Sequence, residues 1–416
     1  MSVPTPAKYI KDYEELGFGM FIHWGLYSQL ECGEWYFTNY EGISMQEYMK
    51  LADSFTAKDF DAEKIVGLAK DSGCRYATLT TRHHEGFSLY DTCGLNKYDA
   101  PHSPAKRDLV REFVDECNRQ GIVPFLYHTT LDWFNKDFEE NFDRYLEYLS
   151  DSVEILCKNY GKIGGFWFDG NWSKKDADWK EDKLYKMIRK YQPEAIIVNN
   201  TGIQKRGANG SDELDVLTFE QGIPQEINRE GHKKYKSAEM CQTLNSTWGY
   251  SKYDLCYKSP QEIINTLCTC RRYGANYMIN IGPEAQGAIV PFEEAEMRIV
   301  GEWMDLFGEA IYKSRPYCAK SCGKSYILKS EDGSALYIFC IDLASKGYEH
   351  VVLDNGLYSG VYAFGDVEDE IEEIHWLDNM EPMEFSQKGK WLTVNMVGNS
   401  YGKFYGIRVA KATIKK

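Results

Sequence analysis

Residues 163–172 read I-G-G-F-W-F-D-G-N-W, an apolar stretch that runs straight into a carboxylate, Asp169, and then a glycine. The apolar part is short, continuous and aromatic, the pattern of a strand buried on both faces. Six more runs share it: 18–23 (F-G-M-F-I-H), 75–81 (R-Y-A-T-L-T-T), 122–128 (I-V-P-F-L-Y-H), 195–199 (A-I-I-V-N), 215–219 (D-V-L-T-F) and 276–281 (N-Y-M-I-N-I), with a weaker eighth near 238–243. Segments of helical period lie between them, at 59–72, 108–120, 138–159, 178–191, 260–273 and 293–311. Pro104 is expected to open one helix, and Ser259-Pro260 followed by Glu262 another. Repeated strand–helix units give a parallel sheet, and eight strands predict an α/β fold of the (β/α)8 barrel type. A doubly wound sheet is the alternative. Its dinucleotide-binding form is disfavoured, because no G-x-G-x-x-G follows the first strand.

From about residue 315 the helical period disappears. The runs S-Y-I-L-K-S, A-L-Y-I-F-C-I-D, H-V-V-L, G-V-Y-A-F-G, W-L-T-V-N-M and Y-G-I-R-V-A alternate in hydrophobicity and are separated by turns such as E-D-G-S, D-N-G and G-N-S. This predicts an antiparallel β-sandwich. The boundary is expected near 315–325, within R-P-Y-C-A-K-S-C-G-K, giving a catalytic domain 1–318 and a sandwich domain 319–416.

The formal net charge of −15 argues against nucleic acid or an anionic membrane as partner, since both require a basic footprint. Twelve cysteines occur with no C-x-x-C pair, and no His-x-His is present, so zinc-ligand spacing is absent. Cys318 and Cys322 are close enough to meet, but reduced thiols are the expectation for a chain of this size. The N-terminus has no apolar signal-like region. The expected location is therefore the cytoplasm, or outside the cell if a signal was removed. No run approaches 18 apolar residues.

Strand after strand ends in a chemically capable residue. The first ends at His23, the second runs into His83-His84-Glu85, and the third into Tyr127-His128. The fourth ends at Asp169, the fifth at Asn199-Asn200, the sixth at Glu220, and the weak seventh begins near Glu239. In a barrel these ends converge on the C-terminal mouth, where active sites are built. A buried Asp169 with no basic neighbour in sequence needs a reason, and attack on an electrophilic carbon supplies one. A retaining glycosidase needs two carboxyl groups about 5–5.5 Å apart, one attacking and one protonating the leaving oxygen. Glu220 and Glu239 both qualify as partners. Glu34, in the G-E-W-Y that also carries Trp35, reads as a binding carboxylate. His23, His83, His84 and His128 suit sugar hydroxyls, because a neutral imidazole offers one donor and one acceptor. Adjacent residues on an extended chain point to opposite sides, so His83 and His84 holding one metal is disfavoured.

F-G-M-F-I-H-W-G-L-Y-S, G-E-W-Y, R-H-H-E-G-F, L-D-W, W-F-D-G, N-S-T-W-G-Y and N-I-G-P-E-A-Q-G-A-I, in this order, resemble glycoside hydrolase family 29, the α-L-fucosidases. The resemblance spans the whole barrel, and the C-terminal sandwich fits the family layout. It implies an exo-acting retaining hydrolase with no cofactor or metal, acting on fucosylated oligosaccharides or glycoconjugates through a covalent intermediate on Asp169. It also implies hydrogen bonds to fucose from His23, Glu34, His83 and His84, and a pocket for the C6 methyl group made by Phe21, Tyr127, Trp167 and Trp248. Phe21 and His23, two residues apart on a strand, share a side. The family's acid/base motif after the sixth strand appears as T-F-E, which puts that role on Glu220, with Glu239 as rival. Trp35 and His128 are further substrate-binding candidates. The chain departs from the family at Ala238, where a Trp is usual, at His128, where a Ser is common, and at Thr201, where an Arg often stands. Two other readings stay open, a metal-dependent barrel hydrolase and a non-catalytic glycan-binding protein. A homo-oligomer is also left open.

Overall fold

The structure is a computed structural model and describes residues 3–39, 42–203, 205–321, 323–341, 343–345 and 359–416. Two compact units are present, Met1–Lys258 with Asn276–Arg298, and Ser259–Ala275 with Ile299–Lys416.

The first unit is built on eight parallel strands: β1 (Phe18–Ile22), β2 (Tyr76–Arg82), β3 (Val123–Thr129), β4 (Gly165–Asp169), β5 (Ile196–Asn199), β6 (Val216–Thr218), β7 (Ser237–Thr243) and β8 (Asn276–Ile281). Each pairs with its chain neighbour except β5 with β6, and β1 pairs with β8, in the order β5-β4-β3-β2-β1-β8-β7-β6. That cyclic order is a barrel and excludes a doubly wound sheet. The seam between β5 and β6 is joined through Asp215. Its N–H donates to Ile197 O at 3.0 Å, and its carboxylate accepts the Ile197 N–H at 2.8 Å.

Inward-facing residues alternate along the strands and pack as one core: Phe21, Tyr76, Phe125, Tyr127, Trp167, Ile196, Val198, Val216, Cys241 and Met278. Ile10 and Tyr13, from the helix Lys8–Leu16, join the same core. Burying a large apolar side chain fully is worth about 1.5–3 kcal/mol, so this layer holds the strand ends in place.

Helix boundaries follow local capping chemistry. Pro104 does not open a helix. The helix Leu109–Gln120 starts at Asp108, whose carboxylate caps Arg111 N–H at 2.9 Å. The expected helix 138–159 is divided at Asn141, which caps Phe142–Asn159. Ser259 and Glu262 form the anticipated capping box of Pro260–Arg272. The weak eighth strand of the sequence is a full seven-residue strand, β7. Among the described residues, no α-helix lies between β5 and β6 or between β6 and β7, so those two connections depart from the regular strand–helix repeat.

In the second unit, every element from Ser314 onward among the described residues is a strand. These are β9 (Ser314–Pro316), β10 (Lys320–Ser321), β11 (Tyr326–Ser330), β12 (Ala335–Ile341), β13 (Gly360–Gly365), β14 (Ile371–Trp376), β15 (Phe385–Lys388), β16 (Trp391–Met396) and β17 (Ile407–Ile414). They form two antiparallel sheets, β10-β13-β16-β15 and β14-β17-β12-β11-β9. Leu336, Ile338 and Cys340 of β12 and Leu392, Val394 and Met396 of β16 alternate into one shared core, as a period of two requires. The expected H-V-V-L strand and Cys322 lie outside the described residues. Each cysteine among the described residues is a free thiol.

Candidate active site

One cavity at the C-terminal mouth of the barrel is lined by Phe21, His23, Glu34, Trp35, His83, His84, Tyr127, Trp167, Asp169, Trp172, Asn200, Ile203, Glu220 and Trp248. Of the strand-end and site residues singled out in the sequence, Glu85, His128, Asn199 and Glu239 do not line it.

Asp169 closes β4. Gly170 follows with φ +128, which a side chain would strain, and a Cβ there would stand 2.7 Å from Thr130 Oγ1 and 2.8 Å from Leu131 N. The glycine of W-F-D-G therefore lets the chain turn tightly against the loop after β3. This turn carries Trp172 back over the carboxylate, where its indole N–H donates to Asp169 Oδ1 at 2.8 Å. Tyr127 OH donates to Oδ2 at 3.2 Å, Asn200 Nδ2 donates to Oδ1 at 3.2 Å, and His84 Nε2 stands 3.4 Å from Oδ2. Burial pushes this carboxyl up. The hydrogen bond and charge of His84, followed by Trp172 and His83, outweigh burial and bring it to about 2. Asp169 is thus held as an anion without a Lys or Arg beside it.

Glu220 lies two residues past β6. Phe219 N–H donates to Glu239 O and Gln221 N–H to Cys241 O, both at 2.9 Å, so the chain stays laddered to β7 on either side of it. Its carboxylate accepts from Asn200 Nδ2. Burial first, then the Asp169 anion, pushes Glu220 up to about 7. One amide nitrogen bonding both carboxylates keeps their oxygens within two hydrogen-bond lengths laid end to end.

The histidines differ in kind. Asn280 Nδ2 donates to Trp248 O at 2.7 Å, which turns its Oδ1 toward His23 Nδ1 at 2.6 Å. His23 therefore donates from Nδ1 and keeps Nε2 as an acceptor. Burial, then His83, holds it well below the usual imidazole range. Burial, then His84, lowers His83 to about 4, with its Nδ1 standing 3.5 Å from the Glu85 carboxylate. His83 and His84 both line the cavity although adjacent, because β2 has ended at Arg82 and strand alternation no longer applies. Glu34 Oε2 accepts the backbone N–H groups of Trp248 (3.1 Å) and Gly249 (2.8 Å), tying the loop after β1 to the loop after β7. Burial raises this carboxyl, and those two bonds partly offset the effect.

Phe21 packs edge-on to Trp167 and Trp248 at centroid distances of 5.3 and 5.8 Å, and Tyr127 stacks on Trp167 at 5.8 Å. These rings form an apolar wall beside the acceptor-rich one. Trp35 lies 5.3 Å from His84 and 5.7 Å from Trp172, at the other side of the cavity.

Two expectations need correction. His128 follows Tyr127 on β3, so its side chain leaves the barrel on the opposite face, fully buried, with Nε2 2.9 Å from Ser152 Oγ and Nδ1 2.6 Å from Thr129 O. Glu239 is the third residue of β7, four residues or about 13 Å from the C-terminal end of that strand. It lies inside the barrel, where its carboxylate accepts from Tyr13 OH, from Tyr76 OH at 2.7 Å and from Trp167 Nε1 at 2.9 Å.

Trp172, Asn200 and Ile203 complete the cavity and were not named as site residues from sequence. Asn200 was visible at the end of the fifth strand. Trp172 was visible three residues after Asp169, but its return over the carboxylate depends on the Gly170 turn. Among the described residues no group of three or more His, Cys, Asp or Glu side chains is arranged to hold a metal ion, and no helix is long and apolar enough to cross a membrane.

A family model described as alpha-L-fucosidase matches residues 4–309. The human tissue alpha-L-fucosidase is 27% identical over 378 residues, covering 83% of this chain and 78% of that protein. Alpha-L-fucosidase isoenzyme 1 from Paenibacillus thiaminolyticus superposes with a TM-score of 0.81 at 28% identity, covering 98% of this chain and 99% of that one. A Bacteroides thetaiotaomicron alpha-L-fucosidase, trapped as a covalent intermediate with 2-fluoro-fucosyl fluoride, shares the fold with a TM-score of 0.83 at 23% identity, covering 100% and 98%.

Proposed function

This chain belongs to the α-L-fucosidase family of glycoside hydrolases, and from that premise we propose that it removes terminal α-L-fucosyl groups from fucosylated glycans with retention, through a covalent fucosyl-enzyme. The observation that carries this reading is the carboxylate pair at the barrel mouth, Asp169 and Glu220, lining one cavity and bonded by the same Asn200 amide, with Asp169 held down to about 2 and Glu220 pushed up to about 7. Near neutrality one is an anion able to attack, and the other still holds a proton to give.

In the first step Asp169 attacks the anomeric carbon. The bond to the leaving oxygen breaks, and that oxygen takes the proton of Glu220. In the second step the Glu220 carboxylate takes a proton from water, the water oxygen bonds the anomeric carbon, and Asp169 departs as a carboxylate. Sugar hydroxyls donate to His23 Nε2 and to Glu34. His83 and His84 complete the polar wall, with Trp35 beside them. The C6 methyl group packs against Phe21, Tyr127, Trp167 and Trp248. A galactoside would bury its O6 there without a partner, at a cost of roughly 1–3 kcal/mol. The covalent intermediate trapped in the Bacteroides neighbour agrees with this chemistry for that protein.

The test is the product. Hydrolysis of 4-nitrophenyl α-L-fucoside followed by proton NMR should show α-L-fucose first and β only by later mutarotation, with little turnover of the matching galactoside. The β anomer appearing first would rule out a retaining pair.

A further inference from the structure

Asn200 has a side chain that bonds both carboxylates of the proposed reaction, and its backbone explains how. Its N–H donates to Phe168 O at 2.9 Å, which sets its Cα beside Asp169. Asn199, one residue earlier, points the other way and donates to Tyr185 OH at 2.9 Å. Asn200 Nδ2 then reaches Asp169 Oδ1 at 3.2 Å and Glu220 Oε2. An amide nitrogen carries two hydrogens and can serve both at once, whereas the reversed amide would set its carbonyl oxygen against the Asp169 anion. The carbonyl oxygen Oδ1 is buried with no hydrogen-bond partner among the described residues. Truncating this side chain therefore removes its two bonds to the carboxylates and no other side-chain hydrogen bond seen there.

The two carboxylates exchange charge during the reaction. Before cleavage Asp169 is the anion and Glu220 is neutral. In the intermediate Asp169 is an ester and Glu220 is the anion. A hydrogen bond to a charged acceptor is roughly twice as strong as one to a neutral acceptor. A single donor held between them stabilises whichever group is charged and need not move. We propose that Asn200 is a positioning residue that couples nucleophile and acid/base, holding their spacing and passing its stabilisation from Asp169 to Glu220 as the charge moves. This inference rests on the roles given above to Asp169 and Glu220.

The charged groups facing Glu220 are Asp169 from β4, Glu34 from the loop after β1 and Arg206 from the loop after β5. The Cys241 thiol faces it from β7. Substitution at Asn200 takes one donor from Asp169 and leaves the Glu34, Arg206 and Cys241 side chains in place. Asn200→Ala and the near-isosteric Asn200→Asp would be compared with wild type and with Glu220→Gln, using kcat/KM against pH on a fucosylated disaccharide. Loss of a donor to the Glu220 anion should move the alkaline limb upward by about one pH unit in Asn200→Ala, with kcat lowered about 10–100-fold and KM changed far less. Asn200→Asp keeps the shape but replaces the amide donor with a third carboxyl set against Asp169 and Glu220, and should be the slower variant. An alkaline limb unmoved in Asn200→Ala, or wild-type behaviour in Asn200→Asp, overturns the coupling role. Glu220→Gln separates the two layers of argument. If the limb survives there, Glu220 is not the acid and the underlying reading fails. If it vanishes there and stays fixed in both Asn200 variants, that reading stands and this inference alone fails.

Discussion

Glu220 and Glu239 are supplied by neighbouring strands of one barrel, and burial raises both carboxyls. What they face separates them. Glu239, in the barrel interior, is surrounded by donors, the hydroxyls of Tyr13 and Tyr76 and the indole of Trp167, an arrangement that suits an acceptor. Glu220, at the mouth, faces the Asp169 anion and accepts from the amide that Asp169 also uses. Burial next to donors makes a structural carboxylate, whereas burial next to an anion makes an acid that keeps its proton near neutral pH. Depth in the barrel converts one residue type into two functions. Glu239 orients Trp167, whose ring forms part of the wall above, and Glu220 is the one proposed for chemistry.

The largest effect that could break this contrast concerns the anion itself. Asp169→Ala should lower kcat by on the order of 10⁴–10⁶-fold. Azide or formate should restore part of the turnover of an activated aryl fucoside, and an azide adduct of β configuration would show attack from the vacated side. Wild-type-like turnover without added nucleophile would remove Asp169 from the mechanism.

The next effect compares the two glutamates directly. Glu220→Ala should cost about 10²–10⁴-fold on a sugar leaving group and far less on dinitrophenyl fucoside, whose leaving oxygen needs no proton. In wild type the acid is protonated below about 7 and loses its proton as pH rises through that value, so kcat/KM should fall on the alkaline side of pH 7. Glu220→Ala should abolish that limb. Glu239→Gln should keep it. In Glu239→Gln the amide presents N–H where a carboxylate oxygen had accepted, so one donor of the barrel interior loses its partner. The expected cost is about 1–3 kcal/mol of stability, read by denaturant unfolding, with only a few-fold loss of activity. A lost alkaline limb in Glu239→Gln would reverse the two assignments.

The same contrast shows what could be read without coordinates. Apolar runs ending in polar residues identified the barrel and the mouth where the polar residues gather, because both properties are local in sequence. Asp169 and His23 stood at strand ends and Glu34 in the loop after the first strand, whereas the aromatic wall came with the family resemblance, to which period-two spacing added only that Phe21 and His23 share a side. Glu239 misled because β7 alternates weakly, and its start could not be told from its end by composition alone. Pro104 misled because Asp108, four residues on, supplies the cap. Asn200 stood in view at a strand end. Its role depends on the lateral distance between β4 and the segment after β6, and no spacing along the chain encodes that distance. The two helix-free connections around β6 were legible, since no segment of helical period was read between residues 191 and 260, and none is found there among the described residues.

The smallest predicted effect concerns His128, and it tests strand alternation. Tyr127 and His128 are adjacent on β3, and both were candidates for the sugar pocket. A strand sends successive side chains to opposite faces. Tyr127 reaches Asp169, and His128 reaches Ser152 on the helix Phe142–Asn159. Burial, then Arg82, lowers His128 to about 3, so it is neutral at any working pH and joins strand to helix through hydrogen bonds alone. His128→Ala should leave KM for aryl fucosides within about twofold while destabilising the fold by about 1–3 kcal/mol, the cost of a cavity and of the lost hydrogen bonds to Ser152 Oγ and Thr129 O. Tyr127→Phe removes a single hydroxyl that donates to the nucleophile, and should do the reverse, with kcat down about tenfold and little loss of stability. If His128→Ala instead raised KM sharply at unchanged stability, β3 would have to present the other face to the sugar, and the pairing of Tyr127 with Asp169 would fail with it.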